Sequence, residues 1–391
     1  MRFKKITKFI LCALISSGML LSTVAAEKSA VQVDTDVSAR LVNAKSGILM
    51  EQTTGEVLYE SNPDERLQIA SVTKVMTMLL AIEAIDSGKI KLDDMVSTSE
   101  HAASMGGSQV FLEVGEQMSV DDMMKAIAVA SGNDAAVAMA EFIAGSEEAF
   151  VEKMNERAEE LGCINTHFIN CNGLDETEEH YSTAKDIAII SRELLKHPKI
   201  LDYTTIWMDT LRNGSFGLSN TNKLIRFYKG ANGLKTGSTS VAKYCLSASA
   251  ERDGMQLISV VLCAPSTAER FSSATSLLDY GFANYEVASD EVTGISVPYV
   301  RVSGGVKEQI LPETEGNGFV VKKGNLNKIE TRFEMEEEVK APVYKGQKLG
   351  KVVYMINGNE VAGRDIISGE DVTRITVPEM FVRNLRLWLD V

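Results

Sequence analysis

The chain predicts a two-layer or three-layer α/β domain built on an antiparallel sheet, then a small all-β module, then a short amphipathic helix. Three observations carry this prediction. Helical segments interleave with apolar strand-like runs over about residues 30–288; short alternating runs separated by glycine turns begin after Asp290; and the last fourteen residues place their large apolar side chains on one helical face. At 391 residues and 45% hydrophobic content, the chain exceeds one average domain and can bury substantial cores.

The elements follow in order. Arg2, Lys4, Lys5 and Lys8 precede an apolar stretch over 9–21 and the small residues Val24-Ala25-Ala26. That pattern predicts a secretory signal peptide over 1–26 and an exported protein acting on the extracytoplasmic face of the cell membrane. Residues 46–52 and 56–60 flank Thr53-Thr54-Gly55 and read as the hairpin that starts the sheet. Residues 71–86 are apolar on nearly all sides and stop at Ser87-Gly88, which predicts a helix buried in the middle of a domain. Ser119 and Asp122 cap a helix over 119–130, with Met123, Met124, Ile127 and Ala128 inward. Ser131-Gly132-Asn133 interrupts it before helical character resumes over 134–144. Buried loop backbone is costly unless hydrogen-bonded, so a polar break between two apolar helices marks a functional point. A helix over 183–196 ends before Pro198, runs 244–250 and 257–263 form a hairpin about Arg252-Asp253-Gly254, and 266–284 is the last helix of the domain.

The domain is expected over 27–288 and the β module over 289–377. Runs 295–302, 319–322 and 351–356 are separated by turns at Ser303-Gly304-Gly305, Asn317-Gly318 and Asn357-Gly358, as in a small sandwich. The module holds no cluster of nucleophiles and bases and reads as a spacer or docking domain. In segment 378–391, Phe381, Leu385, Trp388 and Leu389 share one helical face, with Arg383, Asn384, Arg386 and Asp390 elsewhere. A helix of that length reaches about 20 Å, too short to span a bilayer, and is expected to lie in the membrane plane.

Removing the signal peptide takes four basic residues and no acidic one, so 36 basic face 54 acidic residues and the mature net charge is −18. Nucleic acid is a poor partner for such a surface, and charge alone does not hold it on an anionic membrane. Cys163, Cys171, Cys245 and Cys263 are too few for a disulfide framework and are expected as buried thiols, with Cys245 and Cys263 placed to face each other across the hairpin. Cys163, His167 and Cys171 are spaced four apart, but no second ligand pair follows, so no metal is expected.

Three short motifs occur in fixed order: Ser71-Val72-Thr73-Lys74, Ser131-Gly132-Asn133 and Lys235-Thr236-Gly237. A serine hydroxyl is a weak nucleophile and needs a base in reach; three residues along a helix, Lys74 lies over Ser71. Apolar neighbours (Val75, Met76, Met78) and a second cation, Lys235, are expected to lower the Lys74 pKa. The helix start at Ser71 offers N–H groups to an oxyanion. Ser131 is a second hydroxyl relay, Asn133 binds substrate backbone and steadies Lys74, and Lys235 supplies positive charge beside Ser131. Thr236 and Gly237 let an extended substrate lie along the strand edge, with Gly237 permitting its close approach. The set reads as a serine acyl-enzyme site without histidine and without a cofactor. Order removes the decoys: Ser182-Thr183-Ala184-Lys185 falls after Ser131, with Ser182 read as a helix cap, and Ser240-Val241-Ala242-Lys243 follows the Lys235 strand, with Ser240 in a loop.

With these motifs the chain resembles the serine-type D-Ala-D-Ala carboxypeptidases of the low-molecular-mass penicillin-binding protein family. Further stretches carry the likeness: Asn165-Thr166-His167-Phe168, Asn172-Gly173-Leu174, His180-Tyr181-Ser182-Thr183-Ala184, Asn220 through Leu224, Gly233-Leu234 before Lys235, and Ala264-Pro265-Ser266 with Arg270. The resemblance implies a β-lactamase/transpeptidase-like α/β fold, a central five-stranded antiparallel sheet with helices on both faces, plus a C-terminal all-β domain and an amphipathic helix. It implies removal of the terminal D-alanine from peptidoglycan stem pentapeptides through an acyl-enzyme, with β-lactams as acylating inhibitors. Ser71 is then the nucleophile, Lys74 the base, and Ser131, Asn133 and Lys235 the supporting groups. Thr239 and Arg270 take the substrate carboxylate, and the N–H groups of Ser71 and Ser238 form the oxyanion hole. A serine β-lactamase shares the motifs but adds a deacylating glutamate, and no Glu-x-x-Leu-Asn stretch lies between Asn133 and Lys235. A non-catalytic muropeptide or β-lactam sensor is the reading from another class; the intact catalytic set speaks against it.

Overall fold

The computed structural model describes residues 41–174, 177–289, 296–316 and 318–389; the signal peptide expected over 1–26 lies outside the described residues. Strand β1 (Ser46–Glu51) is buried along its whole length, and its partner β2 (Val57–Ser61) returns antiparallel with a bulge at Leu49/Met50. A tight 3₁₀ turn, Ala70–Thr73, leads into α1 (Lys74–Asp86). Nine of the thirteen residues of α1 are buried, so this helix is held by packing on all sides rather than along one stripe. Each fully buried Val, Met, Leu or Ile there contributes about 1.5–3 kcal/mol.

Helix α2 (Val120–Lys125) starts where Ser119 accepts the Asp122 N–H, as its sequence requires. It widens into a π-helical turn over Ala126–Ala130, then breaks: Ser131 takes φ 65°, and α3 (Asn133–Ala144) begins immediately. Helix α4 (Glu147–Glu160) is absent from the sequence expectations. Eight of its fourteen residues are charged and only Phe150, Met154 and Ala158 are buried, a stripe too narrow to stand out. Helix α5 (Ala184–Leu194) corrects one reading: its cap is Thr183, accepting the Asp186 N–H, whereas Ser182 is buried and hydrogen-bonded to Thr166.

Strands β3 (Ala231–Thr239), β4 (Lys243–Arg252) and β5 (Met255–Ala264) complete a five-stranded antiparallel sheet ordered β2-β1-β5-β4-β3. Strand alternation feeds both faces. Ile48, Met50, Ile258, Val260 and Leu262 join the cluster formed by α1, α3 and α5, while Leu49 and Leu257 meet α6 (Thr267–Asn284) at Gly281. Among the described residues, Cys163, Cys171, Cys245 and Cys263 are free thiols, the first three buried as expected and Cys263 only partly so; a bulge in β4 between Tyr244 and Leu246 leaves the Cys263 N–H, not its sulfur, 3.4 Å from Cys245 Sγ. Cys163, His167 and Cys171 do not converge, since the first bonds to the Asp186 carbonyl and the second to that of Glu179.

Strand β6 (Tyr285–Ala288) pairs with β10 (Phe319–Lys322). Between them run β7 (Val300–Ser303), β8 (Gln309–Ile310) and β9 (Pro312–Thr314); beyond them run β11 (Ile329–Met335), β12 (Glu338–Lys340), β13 (Lys348–Ile356) and β14 (Asn359–Ser368). They form a β9-β14-β13-β11 sheet and a β8-β7-β12 sheet, the β7/β12 pair parallel, around a core that includes Val302, Val339, Val352 and Tyr354. Residues 295 and 317 of the expected strand and turn lie outside the described residues. Helix α7 (Val377–Leu389) closes the chain with Phe381, Leu385 and Trp388 exposed, and among the described residues no helix is long and apolar enough to cross a membrane.

Candidate active site

The folding of the 70–74 segment sets Ser71 and Lys74 on consecutive turns. Ala70 enters at φ 48°, a left-handed conformation that costs a residue with a Cβ about 1–2 kcal/mol. Lys74 Nζ then lies 3.1 Å from Ser71 Oγ, 2.6 Å from Asn133 Oδ1 and 2.7 Å from the Asn172 carbonyl. The Asn133 amide is oriented because its Nδ2 donates to the Gly106 carbonyl at 2.7 Å. Two of the three partners of Lys74 are therefore pure acceptors. A neutral amine gives them its two hydrogens and keeps its lone pair for the serine hydroxyl. Lys74 is completely buried, and that burial pulls its pKa down to about 7, against the weaker opposing pull of Cys171 and Asp134.

Lys235 comes from β3, the edge of the sheet, and donates to the Thr236 carbonyl at 3.0 Å. Burial first, then repulsion from Lys74 and Arg270, holds its pKa well below the usual range. The expectation that Lys235 depresses Lys74 is not met: Lys74 is lowered by burial alone, and the repulsion between the two amines falls on Lys235. Among the described residues, Lys74, Lys235 and Arg270 have no carboxylate within 4.0 Å.

Two other expected site residues make contacts that their identity did not show. A Cβ on Gly237 would stand 2.7 Å from the Ile69 carbonyl and 2.9 Å from the N–H nitrogens of Ser71 and Val72. This glycine is needed for β3 to press against the Ser71 turn. Arg270 is buried behind the strand, donating Nη1 to the carbonyls of Gly237 and Cys245 at 3.1 and 3.3 Å, while its Nε has no partner. Thr236 bonds to Thr221, and Thr239 accepts the Ala242 N–H. Ser238, Thr239, Ser240, Lys243, Tyr244 and Pro265 line a hollow of about 440 Å³ at the end of β3. Ser131 is buried after the π-helical turn, and no hydrogen bond joins its hydroxyl to Ser71, Lys74 or Lys235.

Residues 33–266 match the D-alanyl-D-alanine carboxypeptidase family, and residues 292–374 match the penicillin-binding protein 5 C-terminal domain. The chain belongs to the D-alanyl-D-alanine carboxypeptidase family. It is 46% identical over 376 residues to the D-alanyl-D-alanine carboxypeptidase DacF of Bacillus subtilis, covering 95% of this chain and 96% of the relative. The Escherichia coli carboxypeptidase DacC is 35% identical, with 88% of each chain covered. Among solved structures, penicillin binding protein 5 from Haemophilus influenzae superposes with a TM-score of 0.76 at 34% identity, over 85% of this chain and 98% of that one. Penicillin-binding protein D2 from Listeria monocytogenes, solved in its ampicillin-bound form, matches with a TM-score of 0.57 at 33% identity, over 62% of this chain and 98% of that one.

Several residues of this carboxypeptidase site carry no role in the sequence reading. Asp134 accepts the N–H groups of Val110 and Leu112, which fixes the loop whose Gly106 carbonyl orients Asn133. The carbonyl of Asn172 takes a hydrogen of Lys74, and the next residue, Gly173, has room for no side chain because a Cβ would meet the Ala70 carbonyl at 1.9 Å. The stretch Asn172-Gly173-Leu174 carries the family likeness, but a carbonyl acceptor leaves no trace in residue identity.

Proposed function

We propose that this enzyme removes the terminal D-alanine of peptidoglycan stem pentapeptides through an ester on Ser71. The supporting observation is the buried Lys74 amine, which donates to Asn133 Oδ1 and the Asn172 carbonyl and lies 3.1 Å from Ser71 Oγ. Lys74 takes the Ser71 proton as Oγ bonds to the carbonyl carbon of the penultimate D-alanine. The N–H groups of Ser71 and Ser238 hold the oxyanion. As the C–N bond breaks, a proton passes to the leaving nitrogen through Ser131, and free D-alanine departs; water then cleaves the ester and restores the serine. The substrate carboxylate is drawn by Lys235, Thr239 and the field of Arg270 into the hollow at the end of β3, and its backbone adds to the free edge of that strand. A β-lactam enters the same path, opening its ring on Ser71 to give a penicilloyl ester.

In this reading the protein is exported, its signal peptide is removed, and α7 seats it on the extracytoplasmic face of the cell membrane, at the cell wall. Phe381, Leu385 and Trp388 are exposed, Trp388 at 90%, which is the disposition an in-plane anchor needs. Detergent-free fractionation checks this: deleting 379–391 is expected to release the protein to the soluble fraction, and unchanged membrane association would refute the anchor. The activity itself is tested by D-alanine release from an acyl-D-Ala-D-Ala pentapeptide by purified residues 27–391. Release is expected; a folded protein that releases none would overturn the carboxypeptidase reading.

A further inference from the structure

Thr73 and His180 form a hydrogen-bonded chain that ends on the carbonyl beside Ser71. Ala70 sits in the left-handed region, and its carbonyl accepts the Thr73 hydroxyl at 2.8 Å. With its own proton spent there, Thr73 Oγ1 accepts from His180 Nε2, 2.7 Å away. The other ring nitrogen, Nδ1, accepts the Ile169 N–H at 3.2 Å and so carries no proton, which assigns the neutral Nε2–H tautomer. The chain is sealed from solvent, with Thr73 at 0% and His180 at 3% exposure. Phe168 meets the imidazole edge to face at 5.8 Å, and Gly173 packs over the Ala70 carbonyl and Thr73 Oγ1 so closely that a Cβ would lie 1.9 and 2.7 Å from them.

We infer that His180 is a positioning residue for the reaction: through its Nε2–H it directs the Thr73 hydroxyl onto the Ala70 carbonyl and holds the strained turn that presents Ser71 Oγ to Lys74. The inference rests on the assignment of Ser71 as nucleophile. It gives the helix-proximal threonine of Ser71-Val72-Thr73-Lys74 a role distinct from helix formation, because its hydroxyl bonds backward to the turn and sideways to a residue 107 positions away.

The two side-chain amides separate the two ring nitrogens. In His180→Asn the amide oxygen reaches the Nδ1 position and keeps the Ile169 bond; in His180→Gln the amide nitrogen reaches the Nε2 position and keeps the donor to Thr73. The measurements are the acylation rate with a fluorescent penicillin and kcat and KM for D-alanine release from an acyl-D-Ala-D-Ala peptide, on mature protein. His180→Asn is expected to lose about 10- to 100-fold in kcat and acylation with KM held, and His180→Gln to acylate at least about fivefold faster than His180→Asn, as displaced reacting atoms require. Equal rates for the two variants, both fast or both slow, would overturn the inference. Should His180→Asn lose its cooperative thermal melt, Thr73→Val and Thr73→Ser decide the matter: the serine variant alone keeps the hydroxyl, and a valine variant of equal rate overturns the inference. A wild-type enzyme that takes up no penicillin would overturn the Ser71 assignment and this inference together, an outcome distinct from acylated wild type with indifferent His180 variants.

Discussion

A Ser71→Ala variant is expected to fold as the wild type does, yet to form no covalent adduct with penicillin and to release D-alanine only at background. The fold survives because the left-handed strain of the turn resides in Ala70, and among the described residues the hydroxyl of Ser71 bonds only to Lys74 Nζ. Removing it deletes one hydrogen bond at a half-buried position, an effect of about 1 kcal/mol on stability. Catalysis has no substitute. Ser131 is buried without a bond to Lys74, and the other Ser-x-x-Lys segments, at Ser182 and Ser240, lie on the α5 entry and the β3–β4 turn. Intact-protein mass spectrometry after incubation with penicillin checks the result. A penicilloyl mass on Ser71→Ala at the wild-type level would refute the nucleophile assignment.

A Lys74→Gln variant is expected to acylate about 10²- to 10⁴-fold more slowly than wild type, the usual worth of a positioned base. The amide can still donate to Asn133 and Asn172 but has no lone pair of sufficient basicity for the serine proton. The wild-type pH profile carries the same information. The lysine pKa is lowered to about 7, so below pH 7 the amine is protonated, its lone pair is lost, and the rate falls by about tenfold per pH unit; above 7 the base is free and the rate levels. Stopped-flow acylation across pH 5 to 9 measures this directly. A flat wild-type profile, or a rising limb that persists unchanged in Lys74→Gln, would assign the base elsewhere. The sign extends to stability: a buried lysine whose folded pKa lies below its unfolded value leaves the unfolded chain binding more protons between the two, so Lys74 adds stability as pH rises above about 7.

The long elements were legible because periodicity and punctuation act locally. The apolar run of α1, the Ser119 cap and the hairpin of β4 and β5 each depend on neighbours in the chain, and each stands where the spacing puts it. Helix α4 escaped because its buried face is one residue wide and its charges dominate the pattern. The break at Ser131-Gly132-Asn133 was readable as a break, but its form, a π-helical turn followed by a serine at φ 65°, follows from how the widened turn packs.

The amino-acid sequence by itself determined the order of the three motifs, the three-residue offset that stacks Lys74 on Ser71, and the family to which those residues point. These are matters of residue identity and of separations of a few positions, where backbone geometry leaves little choice. Only the tertiary structure decided that the Asn172 carbonyl, 98 positions from Lys74, completes the shell of its amine. It also decided that Gly237 is bare to fit the Ser71 turn, that Arg270 holds the strand from behind, and that His180 reaches Thr73. Contacts of that kind join backbone groups or distant side chains brought together by packing. The backbone groups are the same in every residue, so no pattern in the sequence marks which of them will meet a catalytic side chain.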